Sequence, residues 1–264
     1  MPGIDVNGTT LAYTDTGSGT PVVLAHSLFF NRTMFDPLVE YLAGRGFRTI
    51  SYDHRNQGES ASASRDECDM DTLADDAAAL IQALDLGRVH YAGNSMGGFL
   101  ALRLAARHPE LVLTATAMGS SSEAEYKLAE YEPLVGVMEA NGTTPVIDIL
   151  LGVMFGKTSL TSRPELTDPW RETMLTLPTS IADSVHGVIF REEIRSELAT
   201  CPTPVLAIAG AEDETYPQPI SGANIADASG GSYVAVEAGG HSVALEQPER
   251  VGEHLVEFFA SAKA

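Results

Sequence analysis

Cysteine is nearly absent. Cys68 and Cys201 are the only two in 264 residues, which leaves room for neither a disulfide framework nor a cysteine-built zinc site. Positive charge is scarce as well: 16 Lys and Arg stand against 36 Asp and Glu, a formal net charge of −20. So acidic a surface repels polyanions, which excludes nucleic acid and anionic membrane surfaces as partners. No apolar run is long enough to span a bilayer, and Met1-Pro2-Gly3-Ile4-Asp5 has neither the basic nor the apolar part of a signal peptide. A cytoplasmic location is the expectation. Internal repeats and low-complexity tracts are missing too. What remains is ordinary for a folded enzyme: 44% hydrophobic and 20% charged residues, in a length that suits one α/β domain with a modest insertion.

The most informative stretch is Gly93-Asn94-Ser95-Met96-Gly97, placed directly after the apolar run Val89-His90-Tyr91-Ala92. It reads as strand, sharp turn, serine, helix. A serine on such a turn is forced into strained backbone geometry that pushes its hydroxyl out at the sheet edge. Gly93 and Gly97 are required because side chains there would collide where strand and helix close up. Gly98 lets the helix Phe99-Leu100-Ala101-Leu102-Arg103-Leu104-Ala105 pack close to its neighbours.

A nucleophilic serine needs a base, and the base needs an acid, in the chain order Ser, Asp or Glu, His. Glu212-Asp213-Glu214 follows the strand-like run Pro204-Val205-Leu206-Ala207-Ile208-Ala209-Gly210, and His241 follows the short strand Tyr233-Val234-Ala235-Val236. Ser95, Asp213 and His241 are therefore the expected nucleophile, orienting acid and base. Glu123 and Glu125, after the sixth strand, are the alternative source of the acid. The remaining histidines have no company that would make a metal site, and His26 reads as structural, beneath the loop after an early strand. Neither metal nor cofactor is expected.

These motifs resemble the α/β-hydrolase superfamily over nearly the whole chain. Gly210-Ala211-Glu212-Asp213-Glu214-Thr215-Tyr216-Pro217 is similar to its acid loop, and Gly240-His241-Ser242 with Glu246-Gln247-Pro248-Glu249 to its histidine loop. Asp53-His54-Arg55-Asn56-Gln57-Gly58-Glu59-Ser60 resembles its D-x-R-G-x-G-x-S turn, with Asn56 where glycine is usual; Asn tolerates left-handed backbone. Within the superfamily, His26-Ser27-Leu28 and the stretch Gly142–Leu150 resemble 3-oxoadipate enol-lactonase-like hydrolases and small-molecule esterases. The resemblance implies a mostly parallel eight-stranded sheet flanked by helices, with a helical cap inserted after the sixth strand. Residues 1–119 and 201–264 would form the core and 120–200 the cap. It also implies an oxyanion hole made by the backbone N–H groups of Leu28 and Met96.

A coarse pass along the chain fits this plan. Asn7-Gly8 reads as a hairpin turn, Pro21–Ala25 and Phe47–Tyr52 as strands, and Met34 to Ala43 as a helix. Asp71 is placed to cap a helix running to about Leu84. Substrate contacts are expected from Phe29 and Phe30 beside the oxyanion loop and from Leu151, Met154 and Phe155 of the cap. Arg191 and Arg195, one helical turn apart, could hold a substrate carboxylate, as the lactonase likeness suggests. The function expected is cofactor-free hydrolysis of a small-molecule carboxylic ester or lactone through an acyl-enzyme, with a perhydrolase activity as its variation. Two alternatives stay open: hydrolysis of carbon–carbon bonds in ring-cleavage products, and a non-catalytic ligand receptor on a hydrolase scaffold. Oligomeric state is not legible.

Overall fold

In the computed structural model, which describes residues 3–262, eight strands form one sheet in the order β1-β2-β4-β3-β5-β6-β7-β8. They are β1 (Gly3–Val6), β2 (Thr9–Gly17), β3 (Thr20–Ala25), β4 (Phe47–Tyr52), β5 (Val89–Asn94), β6 (Val112–Met118), β7 (Val205–Gly210) and β8 (Ser232–Val236). β2 runs antiparallel to both its neighbours, and every pairing from β4 to β8 is parallel. The mostly parallel sheet expected from the sequence is the one observed. β5 and β7 are buried at every position, because helices cover both faces, and so they read as continuous runs rather than alternation. The β1–β2 hairpin turns on Asn7 and Gly8, both left-handed at φ 44° and 74°.

The helices packed on the sheet are α1 (Asp36–Ala43), α2 (Met70–Ala83) and α3 (Met96–Arg107). The first starts later than expected: Arg32–Phe35 is a 3₁₀ turn, and the α-helix begins at Asp36 with Pro37 in its first turn. Asp69, not Asp71, caps α2. Its carboxylate accepts the N–H groups of Asp71 and Thr72, which only a residue before the first turn can reach. Asp71 instead pairs with Arg103 and Arg107 of α3, at 2.6 and 2.9 Å.

Between β6 and β7 the chain turns purely helical. This segment holds α4 (Leu128–Asn141), α5 (Ile147–Met154), α6 (Lys157–Ser162), α7 (Pro164–Leu175), α8 (Ile181–Ile189) and α9 (Arg195–Leu198). After β7 come α10 (Ala223–Ser229), α11 (Val243–Glu246) and α12 (Pro248–Ser261). Val135, Met138, Leu150 and Met154 of the inserted helices are buried in the same apolar cluster as the sheet, so the insertion is packed down on the edge where the strands end.

Three buried histidines, His26, His54 and His90, make the fold sensitive to acid, each with its pKa pushed down by burial. His26 donates from Nδ1 to the Ser27 carbonyl at 2.7 Å and accepts the His54 N–H, and burial pushes its pKa down to about 4. His90, stacked on Phe259 with ring centroids 4.1 Å apart, is lowered by burial to about 4 as well. In the unfolded chain all three revert to about 6.5. The unfolded state therefore binds protons that the native state refuses; stability is full above about pH 6.5 and falls as pH drops toward 4, by up to about 3 kcal/mol for each of His26 and His90. Urea unfolding at pH 7.5 and 5.0 checks this. A His90→Gln chain should lose clearly less stability on acidification than the parent, and equal losses would reject the assignment.

Candidate active site

Ser95 sits between the end of β5 and the start of α3 with φ 51° and ψ −111°, a conformation L-residues avoid. The glycines around it make the turn possible. A Cβ on Gly93 would lie 2.0 Å from the Gly97 carbonyl oxygen, and one on Gly97 2.0 Å from that of Ala25 on β3. The turn is further held by the Ser120 hydroxyl, which donates to the Ser95 carbonyl at 2.9 Å.

The three residues expected to act together meet at this point. The Ser95 hydroxyl lies 2.7 Å from His241 Nε2, and His241 Nδ1 lies 3.2 and 3.1 Å from the two Asp213 carboxylate oxygens. Asp213 is fixed by the N–H groups of Thr215 and Tyr216, each at 2.9 Å from Oδ1. Those donors hold the carboxylate in place against the imidazole. The alternative acids are engaged elsewhere. Glu123 pairs with Arg195 at 2.6 Å and accepts from Asn224, and Glu125 pairs with Arg191 at 3.0 Å.

As the first residue of α3, Met96 has no carbonyl four residues back within the helix, so its N–H is available beside Ser95. Leu28 lines the same cavity as Ser95 and His241. Its loop is pinned: the Ser27 N–H meets Met34 Sδ at 3.3 Å, and Phe29 is held at φ 70°. A bulky residue in left-handed backbone is a rare, strained arrangement. The Asn56 turn behaves as expected, with φ 63° where glycine would be usual.

Sequence reasoning missed Asn94. Its side-chain amide donates to Ser27 Oγ at 3.0 Å and to the His241 carbonyl at 2.8 Å, and its oxygen accepts the Ala244 N–H at 3.1 Å. One buried side chain thus ties the loop at Ser27 and the loop at His241 to the strand that carries the serine. The readable signal was a polar residue at the end of a wholly buried strand.

The cavity over Ser95 is small, about 60 Å³, and its wall is mostly apolar: Leu28, Phe29, Leu134, Met138, Leu150, Val153, Met154, Val185, Val188 and Ile189, with Tyr131 and Tyr216. Of the expected substrate contacts, Phe29 and Met154 line it. Phe30 does not; it turns toward Phe155 and Trp170, with ring centroids 5.8 and 4.7 Å away, which takes Phe155 out of the wall as well. Leu151 packs on the core, while its neighbours Leu150 and Val153 face the cavity.

Arg191 is also outside the wall, and Arg195 with it. The Arg191 guanidinium donates to Glu125 and to the Val188 carbonyl and lies 4.1 Å above the Phe99 ring. Its partner Glu125 does line the cavity, accepting the Tyr216 hydroxyl at 2.6 Å. Burial raises the Tyr216 pKa well above its usual value, so the phenol stays a donor. Among the described residues, the charged side chain on the cavity wall apart from the His241 region is therefore a carboxylate already matched by a cation behind it.

Residues 20–248 match the family described as the alpha/beta hydrolase fold. The chain is 29% identical over 261 residues to the AB hydrolase superfamily protein YisY of Bacillus subtilis (strain 168), covering 94% of this chain and 95% of that one. It is 27% identical over 273 residues to a non-heme chloroperoxidase of Streptomyces lividans, covering 97% and 98%. The enol-lactonase structure from Burkholderia xenovorans LB400 superposes with a TM-score of 0.91 at 24% identity, covering 98% of this chain and all of that one, a likeness of fold. Among the described residues no helix is long and apolar enough to cross a membrane.

Proposed function

The chain belongs to the alpha/beta hydrolase fold family, and from that footing we propose that it is a serine hydrolase of small, uncharged carboxylic esters or lactones. The observation that carries this reading is the run of contacts from Ser95 Oγ through His241 to Asp213, opening on an apolar cavity. His241 Nε2 takes the Ser95 proton as Oγ bonds to the ester carbonyl carbon, and the C=O electron pair moves to oxygen. The N–H groups of Met96 and Leu28 stabilise that oxyanion, each worth about 3 kcal/mol in comparable sites. Collapse expels the alkoxide, which takes the proton from the imidazolium. Water, deprotonated by His241, then attacks the acyl-enzyme and frees the acid and Ser95. Asp213 stays ionised throughout and stabilises the imidazolium.

The cavity supports the restriction to small, uncharged groups. A wall of about 60 Å³ accommodates a short acyl chain, and none of its lining residues is Lys or Arg. With Arg191 neutralised by Glu125, a substrate carboxylate would enter unpaired beside another carboxylate. Hydrolysis of p-nitrophenyl acetate, butyrate and octanoate, and of an ester whose acyl chain ends in a carboxylate, tests this. The octanoate and the anionic ester should each fall at least about tenfold below butyrate in kcat/KM. A preference for the anionic ester or a carboxylated lactone would overturn the uncharged-substrate reading.

A second reading shares the same intermediate and is favoured by the 27% identity to the non-heme chloroperoxidase. Hydrogen peroxide attacking the acyl-enzyme in place of water would release a peracid and regenerate Ser95.

A further inference from the structure

The histidine loop contains a buried carboxylate that this mechanism leaves unused. Glu246, at the end of α11, is 1% exposed. Its Oε1 accepts the Gly240 N–H at 3.0 Å, immediately before His241. Its Oε2 accepts the Gly156 N–H at 2.9 Å, from the turn between α5 and α6, and the Ser159 hydroxyl at 2.6 Å, from the first turn of α6. Backbones meet directly here: a Cβ on Gly240 would lie 2.0 Å from the Gly156 nitrogen. The start of α6 is also gripped from the other loop, where Glu212, next to Asp213, accepts the Thr158 N–H at 2.7 Å and its hydroxyl at 2.5 Å.

We propose that Glu246 is a positioning residue for His241: ionised and buried, it fastens the histidine loop to the cap and adds a second negative charge in favour of the imidazolium. The inference rests on the serine-hydrolase reading above. The charged groups around Glu246 are Asp213 and Glu212 on the acid loop, His241 on its own loop, and Lys157 and Arg163 on the cap. Arg163 donates to the Glu246 backbone oxygen at 2.6 Å, and Lys157 acts on Glu212. Among the described residues no cation pairs with the Glu246 carboxylate itself. Burial raises its pKa, and the donors from Ser159, Gly156 and Gly240, with His241, act against that rise. Each turnover creates an imidazolium at His241, and that cation is stabilised by Asp213 through contact and by Glu246 through space.

The test is Glu246→Gln, which keeps the shape and an acceptor oxygen but removes the charge. For a short-chain ester, kcat should fall at least about tenfold with KM held within about twofold. Inactivation of Ser95 by a fluorophosphonate should slow in parallel. The acid limb of the pH–rate profile should move to lower pH by about half a unit or more, because the imidazolium loses a favourable charge. Ser159→Ala, which deletes one bond but no charge, should leave that limb in place. A slower Glu246→Gln enzyme whose acid limb does not move would make Glu246 merely structural and overturn the proposal, as would unchanged kcat. If Glu246→Gln fails to fold, Glu246→Asp replaces it: the charge is kept, so the limb should stay put while kcat falls, and a shifted limb would overturn the proposal. Absence of Ser95 labelling in the parent enzyme would instead strike the serine-hydrolase reading.

Discussion

Ser95→Ala should lower kcat/KM for a short-chain ester by about 10⁴- to 10⁶-fold, leaving only what binding and the oxyanion donors supply. The fold should survive. Among the described residues the Ser95 hydroxyl bonds to His241, and the strained backbone of the turn is imposed by the strand, the helix and the close-packed glycines rather than by the side chain. Unfolding free energies of the two proteins should agree within about 1 kcal/mol. Residual activity of more than a few per cent would place the nucleophile elsewhere. Ser27 and Ser120 are the nearby candidates, and both have other work. The Ser120 hydroxyl donates to the Ser95 carbonyl, and Ser27 Oγ lies within the Asn94 network.

Asp213→Asn should cost about 10⁴-fold in kcat, by presenting an amide where the imidazole needs an acceptor for its Nδ1–H. His241→Ala should cost about as much as Ser95→Ala, and the double variant Ser95→Ala with His241→Ala no more than either alone. This non-additivity is what a proton relay requires, since each member works only through the others. Stopped-flow and steady-state kinetics on the three variants measure it. Near-parental rates in Asp213→Asn, together with collapse in Glu123→Gln, would move the acid to the end of β6. The pairing of Glu123 with Arg195 argues against that outcome.

What the sequence made legible was what depends on neighbours in the chain. The strands announce themselves as apolar runs because both sheet faces are covered. The elbow announces itself because Gly93 and Gly97 have no room for a Cβ, a constraint set within five residues. The order of Ser95, Asp213 and His241 follows from strand order, and the structure brings these three to one end of the sheet. The helices inserted between β6 and β7 resisted reading for the opposite reason. Whether Leu150 or Leu151 faces the cavity depends on a rotation of about 100° per residue, fixed only by what α5 packs against. Arg191 looked free because its neighbours in sequence are acidic. Its partner is Glu125, 66 residues away across the insertion. Asn94 was hidden differently: it occupies the variable position of a motif whose neighbours attract all the notice. Its role appears only when the loops at Ser27 and His241 are seen converging on it. The cap of α2 failed through local ambiguity, since Asp69 and Asp71 both precede Leu73 and only the turn geometry selects Asp69.

The central claim is that an acyl group passes through Ser95, and it can be weighed directly. The enzyme is mixed with excess p-nitrophenyl butyrate, quenched in acid within the first turnovers, digested and mapped by mass spectrometry. Asp213→Asn is run alongside to slow deacylation. The account predicts a butyryl adduct on the peptide containing Ser95, more abundant in the variant if deacylation is the step most impaired, and no adduct in Ser95→Ala. Turnover with Ser95 unmodified at every quench time in both proteins, or a butyryl group carried on another residue and persisting in Ser95→Ala, would contradict it.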